Sequence, residues 1–571
     1  MKFLFLWKLL LNVQKLKPLF LILVLAQCSV SAQQFNGWTL TSIMNSTTAT
    51  LMDTNQITVK TWSGLPAATG YSSYLEPGGI LARSAKATAP SFNGGPICGK
   101  IQKHDYNGNL IWDFTYSTTN YCTHHDIKPM PNGNVLAIAY ERKTAAEVTA
   151  AGGNQNIEMW PDKIIEVQPT GATTGIVVWE WKIWDHIMQN VDPAKPNYYA
   201  NVIDHPELLN VNYKQAKDWI HMNGVDYNPI LDQISFSSHN MNEWYIIDHS
   251  TTTAEAATHT GGNSGKGGDF LYRWGNPAAY GATGTAILNV THDAHWIKEG
   301  CPNAGRLVGF NNKGITSPSN TSTIDHIILP TNGYNYNYTA GQAYSPATFT
   351  DRLVCSGYGS NMGSSQQFPN GNQLVCIATS GKVYEVNSAG TTLWSKTFAG
   401  SVPKAFKYDS CYIFNTPPAI PTITGNASQL TSSSATTYQW YLNGVLINGA
   451  TSINYTPTVS GIYVVRITDA NGCIYRYSAG YKYTKPNGIE VVDLSASIVV
   501  YPNPSNGQIT IDDAGKLGNN FSIRVIDYTG NIVYTNTNNH SFNLAHLANG
   551  IYTLQLFSDN GNVTKRIQLI N

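Results

Sequence analysis

Pro131-Asn132-Gly133-Asn134-Val135-Leu136 joins a tight turn to an apolar strand. Both residues of the Asn-Gly pair tolerate positive φ, so this pair between apolar runs predicts a β-hairpin. Versions of the same turn and strand recur at residues 76–81, 302–307 and 369–374. The chain therefore carries a repeated hairpin unit, which is typical of repeat architectures.

Each unit also contains a strand, a polar turn and a strand that carries tryptophan. These second parts occupy residues 105–114, 164–183, 245–274 and 383–394. A unit supplies about four short antiparallel strands but too few apolar residues to close a core alone, so the units are expected to stack radially as β-propeller blades. A sandwich of stacked hairpins is the alternative, but a recurrence from about residue 35 to residue 412 is long for one sandwich. We predict a propeller over residues 33–415 of an all-β chain.

The charge balance excludes several classes of protein. The 571 residues include 35 Lys or Arg and 35 Asp or Glu, and only 12% of positions are charged. A nucleic-acid binder that neutralises phosphates needs a basic surplus, and a disordered acidic protein has few aromatics, whereas here aromatics reach 11%. We expect a globular protein with no nucleic-acid partner.

The N-terminus is predicted to be a signal peptide, residues 1–32. Four lysines precede the apolar run 19–26, and small residues stand at 30–32, where cleavage is expected. A membrane anchor and a lipoprotein signal ending at Cys28 are the alternatives. The apolar run is too short to cross a bilayer core of about 30 Å, so no stable membrane span is expected.

Two smaller β domains are predicted after the propeller. In residues 416–487, Trp440 and the later Gly461-Ile462-Tyr463 resemble the core tryptophan and tyrosine corner of immunoglobulin-like sandwiches, which indicates a spacer. Residues 495–571, with Tyr501-Pro502-Asn503-Pro504 near their start, resemble the C-terminal sorting domain of the Bacteroidetes type IX secretion system. A second carbohydrate-binding or structural sandwich is the alternative. The resemblance implies the secretion machinery as a partner, passage through the periplasm, and a secreted or cell-surface location in a Gram-negative bacterium.

Histidines cluster just ahead of the hairpin turns. His125 lies six residues before Pro131, His221 seven before Asn228, and His292 ten before Pro302. Equivalent strand starts in a propeller line one mouth of the central channel, so these side chains are expected to converge. A neutral imidazole is a good nucleophile near neutral pH, and a protonated one can meet anionic oxygens or pass a proton to a leaving group.

The sequence predicts no metal or other cofactor for this chemistry. No carboxylate forms an obvious facial triad with the histidines, and no CxxC pair offers a thiolate zinc site. The stretch Gly265-Lys266-Gly267-Gly268 lacks the spacing of a phosphate-binding loop and is interpreted as an inter-strand turn.

Residues 60–410 resemble the bacterial arylsulfate sulfotransferases. The resemblance is carried by Asp218-Trp219-Ile220-His221-Met222-Asn223, by Leu271-Tyr272-Arg273-Trp274-Gly275-Asn276-Pro277 and by the His292 segment. It implies a six-bladed propeller and transfer of a sulfuryl group from an aryl sulfate to a phenol through a sulfohistidine, without a nucleotide donor.

The same resemblance assigns roles to individual residues. His292 is the expected nucleophile, and His221 and His125 are the other expected catalytic residues. Asn223 is expected to bind substrate, and His124 is the neighbour that could take the place of His125. A protonated His221 or His125, together with the amide of Asn223, is expected to meet the charge that develops on the substrate.

One position departs from the family pattern. Where the family places an arginine after the strand that follows His221, this chain has His239, so a fixed guanidinium would be replaced by an imidazole whose charge depends on pH. His239 is expected to bind the sulfuryl group. Arg273 is a candidate for compensation, but its place beside Trp274 indicates an outer strand.

Two other functions fit the same sequence. A non-catalytic propeller adhesin or ligand-binding protein would keep the fold without needing a titratable nucleophile. A sulfatase-like hydrolase would use water as the acceptor and release sulfate without a phenol.

Overall fold

The computed structural model describes residues 33–485 and 494–570, so the predicted signal peptide, residues 1–32, lies outside the described residues. Strands hold 44% of the residues and helices 5%, which confirms the all-β prediction. The chain divides into two compact units, one ending at Thr484 and the other beginning at Lys485. Among the described residues, no helix is long and apolar enough to cross a membrane.

The described part of the first unit contains six four-stranded antiparallel sheets. The first three sheets and a short parallel pair are built from β1 (Trp38–Ser42), β2 (Ala49–Met52), β3 (Thr58–Trp62), β4 (Thr69–Glu76), β5 (Ile80–Lys86), β6 (Gly99–His104), β7 (Leu110–Thr115), β8 (Tyr121–Pro129), β9 (Val135–Glu141), β10 (Asp162–Pro169), β11 (Gly175–Lys182), β12 (Ile187–Met188) and β13 (Leu209–Asn210). The next three sheets and a small hairpin are built from β14 (Met222–Asn228), β15 (Gln233–Ser238), β16 (Glu243–Asp248), β17 (Tyr272–Trp274), β18 (Thr291–Trp296), β19 (Leu307–Ile315), β20 (Thr321–Ile327), β21 (Thr331–Asn332), β22 (Asn335–Tyr336), β23 (Asp351–Val354), β24 (Ser364–Gln367), β25 (Gln373–Ile377), β26 (Lys382–Val386) and β27 (Thr392–Thr397).

The first strands of successive sheets contact one another in a closed cycle. A late strand, β28 (Ala405–Tyr408), pairs with β1 and so takes the first place in the first sheet. From there the contacts run through β4, β8, β14, β18 and β24, and β24 contacts β28. The two ends of the chain segment that holds the six sheets therefore meet in one sheet.

The repeated turns have the positions that the sequence predicts. The Pro131 turn joins β8 to β9, the Pro369 turn joins β24 to β25, and the other two copies join β4 to β5 and β18 to β19. Gly133 and Gly371 adopt φ of 89° and 84°, which a side chain would disfavour.

Four tryptophans each link one sheet to the next. The indole Nε1 of Trp112 in β7 donates to the carbonyl of Thr174, in the turn before β11. Equivalent bonds join Trp62 to Asp105 at 2.9 Å, Trp181 to Gly268 at 2.7 Å and Trp274 to Pro346 at 2.7 Å. Each acceptor lies in the loop before the last strand of the following sheet, so one residue type repeats one inter-sheet bond.

Residues 423–483 form two smaller sheets within the first unit. Their strands are β29 (Ile423–Gly425), β30 (Leu430–Ser432), β31 (Tyr438–Leu442), β32 (Val445–Leu446), β33 (Asn454–Tyr455), β34 (Gly461–Thr468), β35 (Tyr475–Tyr477) and β36 (Tyr481–Tyr483). Trp440 is buried between them, and the Tyr463 hydroxyl donates to the carbonyl of Val459 at 2.9 Å. A disulfide joins Cys411 to Cys473, while the other five described cysteines are free thiols.

The second unit packs two antiparallel sheets around an apolar core. Its strands are β37 (Val499–Tyr501), β38 (Gln508–Asp512), β39 (Phe521–Ile526), β40 (Ile532–Thr537), β41 (Ser541–Asn543), β42 (Gly550–Ser558) and β43 (Gly561–Leu569). Helices are few and short in the described chain, and they are Ala145–Ala150, Thr253–Ala256 and Ser410–Phe414, with 3-10 turns at Ile183–His186, Val202–Asp204, Pro277–Tyr280 and Ala378–Ser380.

Candidate active site

Five of the predicted site histidines form a continuous row of neighbouring rings. Successive ring centroids lie 5.1 Å apart from His124 to His125, 4.7 Å to His221, 5.0 Å to His239 and 5.7 Å to His292. We call these five side chains the imidazole row. The structure thus brings together residues from three sheets.

Backbone irregularities aim three of these rings. The pairing register shifts at residues 123–127 of β8, at 222–224 of β14 and at 292–295 of β18. His125 and His221 have φ of 50° and 54°, and Asp293, next to His292, has φ of 60°. Such bulges re-aim side chains at functional sites, and each positive φ costs on the order of 1–3 kcal/mol that the surrounding structure must supply.

His125, rather than His124, is the member of the pair that contacts His221. His124 stacks on Tyr140 with ring centroids 3.7 Å apart, and its Nε2–H donates to Asp162 Oδ1 at 2.8 Å. Its Nδ1 therefore accepts the Nδ1–H of His125 at 2.7 Å. This bond leaves Nε2 of His125 with a free lone pair, and His124 supports the ring from behind.

His221 forms a dyad with an aspartate that precedes it by three residues. Its Nδ1–H donates to Asp218 Oδ2 at 2.6 Å, and the Tyr140 hydroxyl donates to the other carboxylate oxygen at 3.0 Å. Although burial opposes it, the hydrogen bond from His221 lowers the pKa of Asp218. The carboxylate therefore stays ionised and holds the proton of His221 on Nδ1.

His239 and His292 are held in the same tautomer by amide oxygens. Nδ1 of His239 lies 2.8 Å from Asn240 Oδ1, and Nδ1 of His292 lies 2.7 Å from Asn312 Oδ1. The Asn312 amide nitrogen donates to the carbonyls of Gly359 and Met362, so its oxygen must accept. Nε2 of His292 in turn accepts the backbone N–H of Met362 at 3.1 Å.

Three rings of the row, those of His125, His239 and His292, are therefore neutral bases with Nε2 as the lone-pair nitrogen. Burial, reinforced by the neighbouring imidazoles, holds the pKa of His125 and of His292 well below the ordinary value of 6.5. Burial also lowers the pKa of His239. The protonated His125 expected from the sequence is thus not the state of the free protein at neutral pH, because charging this ring opposes burial and its neighbours.

Asn223 joins the first strands of two sheets. Its amide nitrogen donates to the carbonyl of Thr291 at 2.8 Å, and its oxygen accepts the Ser237 hydroxyl at 2.6 Å. One amide hydrogen is left for a ligand. Asn223 thus fixes the residue before His292 as well as being a candidate for substrate contact.

A buried lysine connects two of the site strands. Lys404 Nζ lies 2.7 Å from Asp126 and 2.6 Å from Asp293, the residues that directly follow His125 and His292. Although burial opposes it, the two carboxylates raise the pKa of Lys404, and Lys404 contributes to the lowered pKa of Asp293. The charged triad therefore ties β8 to β18 just behind His125 and His292.

His295, and Arg273, which the sequence offered as a candidate for compensation, both lie outside the imidazole row. His295 bonds the carbonyl of Asp293 at 2.7 Å and takes no part in the imidazole row. Arg273 is buried in an ion pair with Glu243, so it is a structural residue and does not compensate for His239. Sequence reasoning missed Asp218, Asn312 and Lys404. The spacing of Asp218 ahead of His221 could have indicated its role, whereas the other two carry no local signal.

A loop covers part of the row and also lines a cavity whose walls, in the described part of the chain, contain none of the five histidines. A Cβ on Gly95 would collide with the rings of His125 and His221, so only glycine lets this backbone cover them. The loop forms one side of a cavity of about 500 Å³ that is also lined by Lys86 and Met44. The buried Tyr71 ring lies 5.1 Å from His125, and its hydroxyl has no hydrogen-bond partner within the described part of the chain.

Comparison with known families shows which family the chain belongs to. The arylsulfotransferase (ASST) family matches residues 81–393, more than half of the chain, and this range contains the whole imidazole row. The chain belongs to the arylsulfotransferase (ASST) family. Membership indicates a sulfotransferase enzyme whose substrates are an aryl sulfate and a phenol.

The end of this arylsulfotransferase is a secretion signal. The secretion system C-terminal sorting domain matches residues 499–570, which confirms the sequence prediction. The sorting domain indicates export by the type IX machinery and a secreted or cell-surface location.

No curated protein matches this arylsulfotransferase. Similar solved structures include a protein of unknown function from Bacteroides caccae, with 10% identity, a TM-score of 0.38, and coverage of 65% of this chain and 98% of that chain. A putative 6-phosphogluconolactonase from Bacteroides fragilis has 10% identity and a TM-score of 0.32, with 66% and 99% coverage. The β-propeller domain of Cps50 (Swd1) from Myceliophteria thermophila has 9% identity and a TM-score of 0.30, with 65% and 90% coverage.

Proposed function

We propose that this protein transfers a sulfuryl group from an aryl sulfate to a phenol through a covalent sulfohistidine at His292, without a nucleotide donor. The observation that carries the proposal is the imidazole row, in which the rings stand side by side and Nε2 of His292 carries a lone pair. An aryl sulfate offers what such a row needs, namely an electrophilic sulfur and a leaving oxygen that must gain a proton.

In the first half-reaction, Nε2 of His292 attacks the sulfur. A nitrogen–sulfur bond forms, the bond from sulfur to the aryl oxygen breaks, and the phenolate leaves with the electron pair. Asn312 keeps the ring proton on Nδ1 at 2.7 Å, so Nε2 is the nucleophile. The N–H of Met362 must release Nε2 for the attack, and it can then donate to a sulfuryl oxygen.

Proton transfer is assigned to His221. The ionised Asp218, 2.6 Å from Nδ1, balances the positive charge that forms when Nε2 of His221 takes up a proton. His221 takes this proton from solvent before the donor reacts and passes it to the departing phenolate oxygen, and it later regains a proton from the acceptor phenol. In the second half-reaction the phenol oxygen attacks sulfur, and neutral His292 leaves.

His125 and His239 are proposed to bind the sulfuryl group. They flank His221 in the row, and protonation of either ring on arrival of the anionic donor turns its Nε2 into a hydrogen-bond donor. Binding of the donor should therefore take up protons from solution, because the rings are neutral beforehand.

We divide the chain into three domains. Residues 33–415 form a six-bladed propeller, supported by the six sheets and by the β1–β28 pairing. Residues 416–487 form an immunoglobulin-like spacer, supported by buried Trp440 and the Tyr463–Val459 bond. Residues 495–571 form the sorting domain.

The test measures nitrophenolate release from 4-nitrophenyl sulfate, with and without phenol. The proposal expects phenol-dependent release that His292→Ala abolishes and that the control His205→Ala, a half-buried histidine paired with Glu207 outside the imidazole row, leaves intact. Peptide mass spectrometry after donor alone should find one sulfuryl group on His292. Absence of release over a broad pH range overturns the proposal in favour of a binding protein, and sulfate release without phenol overturns it in favour of a hydrolase.

A further inference from the structure

A second cluster of chemically active side chains lies away from the imidazole row, between the outer strands of the third and fourth sheets. His186 ends the 3-10 turn after β11, while His259 and Asp269 belong to the segment between β16 and β17. Asp269 Oδ1 lies 2.9 Å from His186 Nδ1 and 2.7 Å from His259 Nδ1. The cluster shares no residue with the proposed active site.

The partners of His186 determine which of its nitrogens carries a proton. Nε2 lies 2.8 Å from the carbonyl of Ala256, an acceptor only, so Nε2 carries hydrogen. In the neutral ring, Nδ1 then bears a lone pair that faces a carboxylate oxygen. His186 is completely buried, and a cation bound between this lone pair and the carboxylate would make the contact favourable.

The cluster has the features of a transition-metal site. Its three ligand atoms lie within 4.8 Å of one another. Metal-binding histidines usually donate the other ring N–H to a carbonyl, as His186 does to Ala256. His259 is 58% exposed, which leaves one side open for a water ligand. Zinc at its usual ligand distances needs ligand atoms roughly 3.4 Å apart. The distance from Asp269 Oδ1 to each histidine Nδ1 must therefore increase by well under about 1 Å.

The glycine-rich stretch identified in the sequence allows this approach. A Cβ on Gly268 would collide with the Ala256 carbonyl and the His186 ring, so the backbone can wrap His186 only with glycine there. The Gly268 carbonyl also accepts the Trp181 indole N–H at 2.7 Å. The turn is thus built around the histidine.

We propose that His186, His259 and Asp269 bind one divalent transition-metal ion, with Zn²⁺ as the preferred ion. Two imidazoles, one carboxylate and a water give the four ligands that zinc takes in proteins. The ion fixes the segment between β16 and β17 to the end of the third sheet. Its role is structural, and the mechanism proposed for His292 does not use it.

The test titrates Zn²⁺ into the metal-free full chain by calorimetry and counts bound ions by native mass spectrometry. The wild type is expected to bind one ion, and His259→Ala and Asp269→Asn should each weaken binding roughly tenfold or more. His546→Ala removes an exposed histidine of the sorting domain and serves as the control, with unchanged affinity. His259 is exposed, so its replacement leaves the fold intact.

A second readout is thermal unfolding, which does not depend on activity. Zn²⁺ should raise the melting temperature of the wild type and of the control, but not that of His259→Ala, since an ion stabilises only the state that binds it. No bound ion in the wild type, or equal binding by His259→Ala, would overturn the proposal and leave the three side chains as a hydrogen-bonded cluster. Either result leaves the assignment of His292 unaffected.

Discussion

Replacing Asp218 with Asn should reverse the tautomer of His221. The Tyr140 hydroxyl donates to Asp218 Oδ1 at 3.0 Å, so the oxygen of an asparagine would remain there. Its NH₂ group would then occupy the place of Oδ2, 2.6 Å from His221 Nδ1. His221 Nδ1 must now accept a hydrogen bond, so the ring proton moves to Nε2. His221 then has no lone pair facing the substrate and cannot act as a base.

The expected loss of rate follows from the role of His221 as general acid and base. A positioned general acid–base contributes roughly 10²–10⁴-fold to rate, and the wrong tautomer removes it without removing the ring. A loss in kcat of that size corresponds to about 2.7–5.4 kcal/mol of transition-state stabilisation. The change is isosteric and Asp218 is near the surface of the site, so the fold and KM should change little.

The assay is steady-state nitrophenolate release with phenol as acceptor, recorded for both proteins across pH. Asp232→Asn is the matched control, because Asp232 also accepts from a histidine, His249 at 2.7 Å, outside the imidazole row. If Asp218→Asn keeps kcat within threefold of the wild type while Asp232→Asn behaves the same way, the assignment of His221 as acid and base is wrong.

Three further predictions concern the scaffold. Lys404→Met leaves two buried carboxylates facing each other, so the free energy of unfolding in urea should fall by about 3–5 kcal/mol. Although burial opposes it, hydrogen bonds to Asp232 and Glu166 raise the pKa of His249 to about 9, above its ordinary 6.5. This stabilisation, roughly 3 kcal/mol, is complete below pH 6.5 and is lost as pH rises through 9, so the deficit of His249→Gln should shrink over that range. Cys473→Ser opens a disulfide between residues 62 positions apart, which should cost about 4 kcal/mol.

Each of these three stability predictions has a result that would contradict it. Lys217→Met removes an exposed ion pair with Glu158 and should cost less than about 1 kcal/mol, so an equal effect of Lys404→Met contradicts the buried triad. A pH-independent deficit of His249→Gln contradicts its raised pKa. For the disulfide, a Cys473→Ser protein with the melting temperature of the oxidised wild type contradicts the expected cost.

The parts that sequence predicted well are those that depend on local or repeated patterns. The Asn132-Gly133 turn carries its own conformational signal, and four of the recurring tryptophans make the same bond to the next sheet. The histidines from three sheets could be brought together in advance because they occupy equivalent places in repeated units.

The parts that sequence missed depend on contacts between distant strands. Lys404 reaches Asp126 and Asp293 only because the strand after it returns to the first sheet. Asn312 matters because its partner strand sets its register against His292. Whether His124 or His125 contacts His221 depends on a bulge in β8, which no local propensity indicates.

The pairing of β28 with β1 also constrains when the protein can fold. Thr39 pairs with Lys407, so the first sheet stays incomplete until nearly the whole six-sheet segment has been synthesised. Contacts between such distant residues slow folding, because the entropy of closing the chain must be lost before the contact forms. Until then β1 presents an unpaired edge, which is a site for association with other chains. An exported protein of this design gains from staying unfolded until its last strand arrives, and a chain truncated before Ala405 should aggregate.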